Sequence, residues 1–258
     1  MLLKRFAFLA TLALTSAAPR RRVSCNANPH PVPPPALPLN GGERELAAPP
    51  PGTKLKHVVL AHGYQNYTCT KAEGSEEFTS TATGALAVLY DVWPFFPAQG
   101  ASALSLDGVF SLPKEAAYDV GVPLNIDESI TEGRIAGAAP AAVKASPWIS
   151  PADISLPSAS TPLKFKGVHY FDDAGVPTFD IDGDFFRAKK VDDLAAPASA
   201  ATSKDGSKAV KWLLLGDAGG SSGIQYVYRV STVGGAGHAC TSEGDDSTDY
   251  ATFYYMYG

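Results

Sequence analysis

Tyr250-Ala251-Thr252-Phe253-Tyr254-Tyr255-Met256-Tyr257 carries an apolar or aromatic side chain at every position but Thr252. Read with the two-residue period of a strand, Ala251, Phe253, Tyr255 and Tyr257 fall on one face, and Thr252, Tyr254 and Met256 on the other. Both faces are largely apolar, so the stretch reads as a central strand covered from two sides. Working outward, similar short runs recur at Ile224–Val230, Val210–Leu215 and His57–Ala61, each bounded by Gly, Pro, Asp or Ser. Val168–Phe171 and Thr178–Ile181 flank Asp172-Asp173-Ala174-Gly175-Val176-Pro177 and read as a hairpin. Asp182-Gly183-Asp184 then turns the chain into Phe185-Phe186-Arg187. Strand patterns outnumber helical ones, which predicts a mainly β fold: a single-domain antiparallel sandwich or distorted barrel with long irregular loops.

The N-terminal part of that fold is less sharply written. Gly63 marks a bulge or a close backbone approach, and the expectation is two strands, His57–Ala61 and Tyr64–Cys69, separated at Gly63. Ala72–Thr83 is polar and turn-like. Gly84–Val92 is a strand or a short helix, because so short an apolar run has no decisive period. Residues 98–163 are rich in Ala, Ser and Pro and predict loops with short elements, an insertion or a cover over the core.

The chain of 258 residues opens on Lys4-Arg5, an apolar run from Phe6 to Leu14 interrupted only by Thr11, and small residues at 15–18. This is the pattern of a secretory signal peptide over 1–18. A Pro-rich arm follows over 19–53, and the β-rich domain is expected over 54–258. Secretion to the extracellular space or cell wall is the expected localisation. The net charge of −5 does not indicate a nucleic-acid-binding face, and no later apolar stretch reaches the roughly 20 residues of a membrane span. Cys25, Cys69 and Cys240 allow three pairings in an oxidising compartment, among which spacing does not choose. No CxxC accompanies them, so zinc is disfavoured.

Five blocks in order support a resemblance: Gly63–Cys69; His169-Tyr170-Phe171 with Pro177–Asp180; Val210–Leu213; Val227–Gly235 with Cys240; and the aromatic tail. Together they resemble fungal secreted proteins carrying the DUF3455 domain, a family of unknown function whose members often bear the name malate dehydrogenase. The resemblance spans about Cys25 to Tyr257. It implies no catalytic residue, because none is assigned to the family. In that family pattern a cysteine often follows the block matching Gly84–Asp91, where this chain has Trp93. The resemblance therefore implies that Cys69 is the free thiol and that Cys25–Cys240 is the bridge.

The inherited enzyme name fails on chemistry. A dinucleotide site requires a strand, a G-x-G-x-x-G turn and a helix, and neither Gly216–Gly223 nor Gly234–Gly237 has that spacing. No cofactor is expected, and no catalytic constellation stands out. Gly219-Gly220-Ser221-Ser222-Gly223 reads as a flexible turn rather than a nucleophile elbow. Carboxylates such as Asp91, Asp119 and Asp180 are available for glycoside hydrolysis, but nothing marks a pair. Asp180, Asp182 and Asp184 place carboxylates at alternate positions, as a Ca²⁺ loop would. The glycine is misplaced for an EF-hand and no Glu closes the loop, so Asp in the service of turn geometry is the preferred reading there, as it is for His169 with Asp172 and Asp173. Tyr226, Tyr228, Tyr254, Tyr255 and Tyr257 read as core rather than as a sugar-stacking face. Asn66-Tyr67-Thr68 permits N-glycosylation at Asn66. The expected function is a non-catalytic binding or structural β-domain whose partner is a cell-wall polysaccharide or a surface protein, with no nucleic acid and no membrane span. A secreted polysaccharide hydrolase is the alternative.

Overall fold

A computed structural model describes residues 32–143, 145–149 and 152–258. The expected signal peptide, the start of the arm and Cys25 lie outside the described residues. Eight antiparallel strands close into a barrel, confirming the barrel side of the expectation. They are β1 (Leu55–Lys71), β2 (Phe78–Asp91), β5 (Phe165–Phe171), β6 (Pro177–Ile181), β7 (Asp184–Leu194), β8 (Trp212–Asp217), β9 (Tyr226–Gly234) and β10 (Gly244–Tyr257). Around the barrel their order is β1-β10-β9-β8-β7-β6-β5-β2. Two short strands, β3 (Ile126–Asp127) and β4 (Ala141–Ala142), pair in the long connection between β2 and β5. Among the described residues the same connection holds one α-helix, α1 (Leu106–Asp119), and one short 3-10 turn at Trp93–Phe95.

The alternation along each strand divides the apolar side chains into two cores. Inside the lumen lie Val59 and Ala61 of β1, Leu89 of β2, Phe179 and Ile181 of β6, Phe186 of β7, and Tyr254 and Met256 of β10. Phe179 and Tyr254, from strands not adjacent in the sheet, meet edge to face with centroids 4.9 Å apart. On the outer wall, Val58 and Leu60 of β1 and Phe253 and Tyr255 of β10 pack beneath Val109, Leu112 and Ala116 of α1. β10 is thus buried on both faces, as its sequence predicts, and it is the one strand that contributes large aromatics to both cores.

β1 corrects the two-strand expectation. It runs unbroken through Gly63, which pairs with Tyr250 on one side and Ala87 on the other. A Cβ at Gly63 would collide with the Leu86 carbonyl and the Ala87 backbone, so the glycine serves a close approach of β2 and not a bulge. Gly167 makes the same concession to the backbone of β6 at Asp180 and Ile181. Of the two options for Gly84–Val92, the strand is realised, and β2 reaches back to Phe78 through residues that read as turn-like. Its exposed first part, Thr79–Thr83, follows β1, and pairing with β1, not burial, holds it.

α1 is the one element of 98–163 longer than a short piece. Ser105 caps it by accepting from the Gly108 amide at 3.1 Å. Gly108, Ser111 and Pro113 interrupt the pattern that would have announced it, and Pro113 removes one helical donor. The helix persists because Val109, Leu112, Ala116 and Ala117 bury their side chains on the barrel wall.

The arm from Val32 onward has no regular structure until β1 and is pinned at intervals. Arg44 makes a two-pronged contact with Asp192 of β7 at 2.7 and 2.9 Å. The Tyr228 hydroxyl donates to the Ala47 carbonyl at 2.9 Å, and Gln99 donates to Pro33. Cys69 is bonded to Cys240, with Cα atoms 5.6 Å apart. This overturns both the free Cys69 and the Cys25–Cys240 bridge. Cys69 ends the β1–β10 pairing opposite Gly244, and the β9–β10 connection carries Cys240 back over that point. The missing cysteine near Trp93 therefore said nothing about the partner of Cys69.

Candidate functional site

One end of the lumen departs from the apolar rule. Past Ala61 the inward positions of β1 are Gly63, Gln65 and Tyr67. Opposite them on β10 stand Tyr250, Thr248 and Asp246, and β9 contributes Arg229 opposite Tyr254. Gln65, Arg229, Asp246, Thr248 and Tyr250 are all buried. The Arg229 Nε donates to the Lys211 carbonyl at 3.1 Å, and one of its terminal nitrogens lies 3.4 Å from the Gln65 side-chain oxygen. His169 of β5 closes the cluster. It stacks on Phe179 with ring centroids 4.0 Å apart, and its Nδ1 donates to the Thr178 carbonyl at 2.8 Å. Burial, reinforced by the Arg229 charge and only partly offset by the Thr178 bond, pushes the His169 imidazole down to about 4. Burial likewise drives the Tyr250 hydroxyl well above its ordinary value, with Tyr254 and Gln65 as its polar neighbours, so it remains a donor.

Above this cluster lies a surface cleft of about 570 Å³. Asn66, Tyr67 and Thr68 of β1 and Asp245, Asp246 and Ser247 of β10 form its floor, with Arg134, Phe171 and Asp173 around it. Asp246 holds His238 twice, through the backbone amide and through Nδ1, each at 2.8 Å. Burial alone would lower the His238 imidazole, but the Asp246 bond and charge outweigh it and leave it above its ordinary value. Beside it, His62 is fully buried with its Nε2 3.2 Å from Asp249. The loop Ser203–Ser207 packs over these residues. Asp205 accepts from the Asp249 amide at 2.7 Å and Ser207 accepts from the Gly235 amide at 3.1 Å. Serine, histidine and aspartate thus share a neighbourhood, but neither serine is hydrogen-bonded to a histidine. The network ties a loop to the barrel rim.

The residues singled out from the sequence are dispersed. Asp182-Gly183 forms the two-residue β6–β7 turn with both φ positive (49° and 84°), the geometry such a hairpin demands. Asp182 pairs with Lys166 at 2.8 Å; Asp184 pairs with Lys56 at 2.6 Å and His57 at 2.9 Å; Asp180 is exposed. Asp172 organises the β5–β6 turn by accepting from the Ala174 and Val176 amides, both at 3.0 Å. No cluster of three metal-ligating side chains occurs among the described residues. Tyr228, Tyr254 and Tyr255 are core. Gly219–Gly223 spells the letters of a nucleophile elbow, but it links β8 to β9. Ser221 there donates to Asp217 at 2.5 Å and accepts from the Arg187 amide at 3.0 Å. Neither glycine cluster leads into a helix. Asn66 is half-buried on the cleft floor, its side-chain oxygen accepting from Ser247 at 2.9 Å. Arg229 and Gln65 were missed. The signal was present, since Arg229 shares a strand face with Val227 in an otherwise apolar run.

Fold and site together define a closed antiparallel barrel with a partly polar lumen and a polar cleft at one rim. A family model described as "Protein of unknown function (DUF3455)" matches residues 49–258. The chain belongs to that family. No curated protein and no solved structure matches it.

Proposed function

We propose that the protein is a secreted, cell-wall-associated binding module that takes a polysaccharide in the cleft over the β1–β10 seam, without turning it over. The observation that carries this reading is the chemistry of the cleft wall. A sugar presents hydroxyls that donate and accept, alternating with apolar C–H faces. The cleft offers the acceptor Asp245, the amide of Asn66, the guanidinium of Arg134 and the rings of Tyr67 and Phe171. Arg134 donates to the Ala139 carbonyl at 2.6 Å, while its buried Nε has no partner. The Cys69–Cys240 bridge and the charged-then-apolar N-terminus support an oxidising, extracellular setting. A glycan array and a hydrolysis screen on the purified protein test the reading. Retention of a wall polysaccharide, weakened about tenfold or more by Asp245→Asn or Phe171→Ala, is expected, tenfold being worth about 1.4 kcal/mol. Turnover that Asp245→Asn abolishes would instead make the protein a hydrolase, and retention of no glycan would end the proposal. Loss of a glycan-sized mass from the secreted protein on Thr68→Ala, beyond that of the substitution itself, would show that Asn66 carries a glycan.

A further inference from the structure

The polar end of the lumen has a charge and hydrogen-bond imbalance that the protein itself does not resolve. Arg229 is buried, and among the described residues it pairs with no carboxylate; its contacts are a backbone carbonyl, Gln65 and the neighbouring Tyr254 hydroxyl. Asp246, the buried carboxylate on the same lining, is committed to His238. His169 across the lumen is neutral at neutral pH and brings no compensating charge. Around Arg229, the Thr248 hydroxyl is buried without a partner, and the Gln65 amide nitrogen and the Tyr250 hydroxyl, which neighbour each other and Tyr254, make no hydrogen bond within 3.5 Å. Every one of these groups can donate a hydrogen bond. A buried cation amid unmatched donors is costly, and what would satisfy all of them together is an acceptor carrying one negative charge. A lumen of eight strands is filled by side chains or holds one small ligand, which sets the size of what fits.

We propose that the polar half of the lumen binds one small monoanion, chloride or a short carboxylate, on the Arg229 guanidinium, with Gln65, Thr248 and Tyr250 completing its shell. Tyr67 and Asp246 face this site and also line the rim cleft, so the anion lies beneath the cleft floor. The site stands independently of any polysaccharide bound above it.

The test is chloride NMR on the folded protein, joined to thermal unfolding at increasing sodium chloride or sodium formate. Excess ³⁵Cl line broadening that formate displaces is expected, together with a Tm that climbs with the logarithm of anion concentration, as one-site linkage requires. Arg229→Gln should abolish both. Gln65→Glu places a carboxylate on the existing 3.4 Å contact to Arg229. It should raise the Tm measured without added anion and also abolish the broadening. Wild-type protein with no displaceable broadening and a flat Tm would overturn the proposal, leaving a lumen that holds only water. A Gln65→Glu variant that keeps the full anion response would overturn it equally. If neither variant folds, formate displacement of chloride from the wild-type protein decides alone.

Discussion

The two halves of the barrel lumen share β1, β9 and β10 but bury opposite kinds of side chain. Toward the β1 N-terminus the lining is Val59, Leu89, Phe179, Ile181, Phe186 and Met256; past Gly63 it is Gln65, Arg229, Thr248 and Tyr250. The first half closes by packing and leaves nothing to satisfy. The second is equally buried but leaves three donors unmatched around a charge. Burial that brings no satisfied bond adds little to stability, so stability is concentrated in the apolar half.

The strongest way to break this contrast is Phe179→Ala. Phe179 is fully buried and touches His169, Phe186 and Tyr254. Truncation should cost about 3–5 kcal/mol in denaturant unfolding; a loss under about 1 kcal/mol would show that the apolar half is not the anchor. Next comes acid. His169 titrates near 4 in the fold against about 6.5 unfolded, so the unfolded chain takes the proton first as pH falls. The full stability is present above about pH 6.5 and declines toward pH 4, by on the order of 3 kcal/mol. His238 acts in the opposite sense: its raised value adds stability at low pH that is lost as pH rises. His169→Phe should remove most of the acid decline, and an unchanged pH profile would assign it to other groups. The smallest effect sharpens the contrast from the polar side. Thr248→Val replaces a buried hydroxyl that has no partner. At low concentrations of small anions it should be neutral or stabilising by up to about 1 kcal/mol. A clear destabilisation would mean that the hydroxyl is already satisfied.

These two halves were not equally legible in the sequence. The apolar half was written in alternation: the tail was readable as a doubly covered strand, and the β5–β6 hairpin as two runs about an Asp-rich turn. What alternation could not convey was closure. A single inward face in each strand suits a sandwich as well as a barrel, and only pairing of β1 with both β2 and β10 decides between them. Gly63 misled because a glycine that admits a neighbouring backbone looks the same in sequence as one that kinks a strand. α1 was hidden because tertiary burial of Val109, Leu112 and Ala116 overrides the propensity cost of Gly108 and Pro113. The polar half was only partly legible. Arg229 stood out as a charge on an apolar strand face, but Gln65 is an ordinary surface residue by type, and the two become a site only once the register turns both inward. The disulfide failed for a related cause, since proximity of Cys69 to Cys240 follows from the β1–β10 register and from no local pattern.

That register also sets a kinetic problem. β1 and β10 are joined by fourteen residue pairs, from Leu55↔Tyr257 to Cys69↔Gly244, across most of the chain. None of these pairs can form by local search; each requires closing a loop of well over a hundred residues. Chains dominated by such distant pairings fold slowly and expose unpaired strand edges for longer. Until β10 docks, β1 and β9 each have an open edge, and both the inner and the outer core lack their largest aromatics. Pairing of this one strand therefore closes both edges and completes both cores at once.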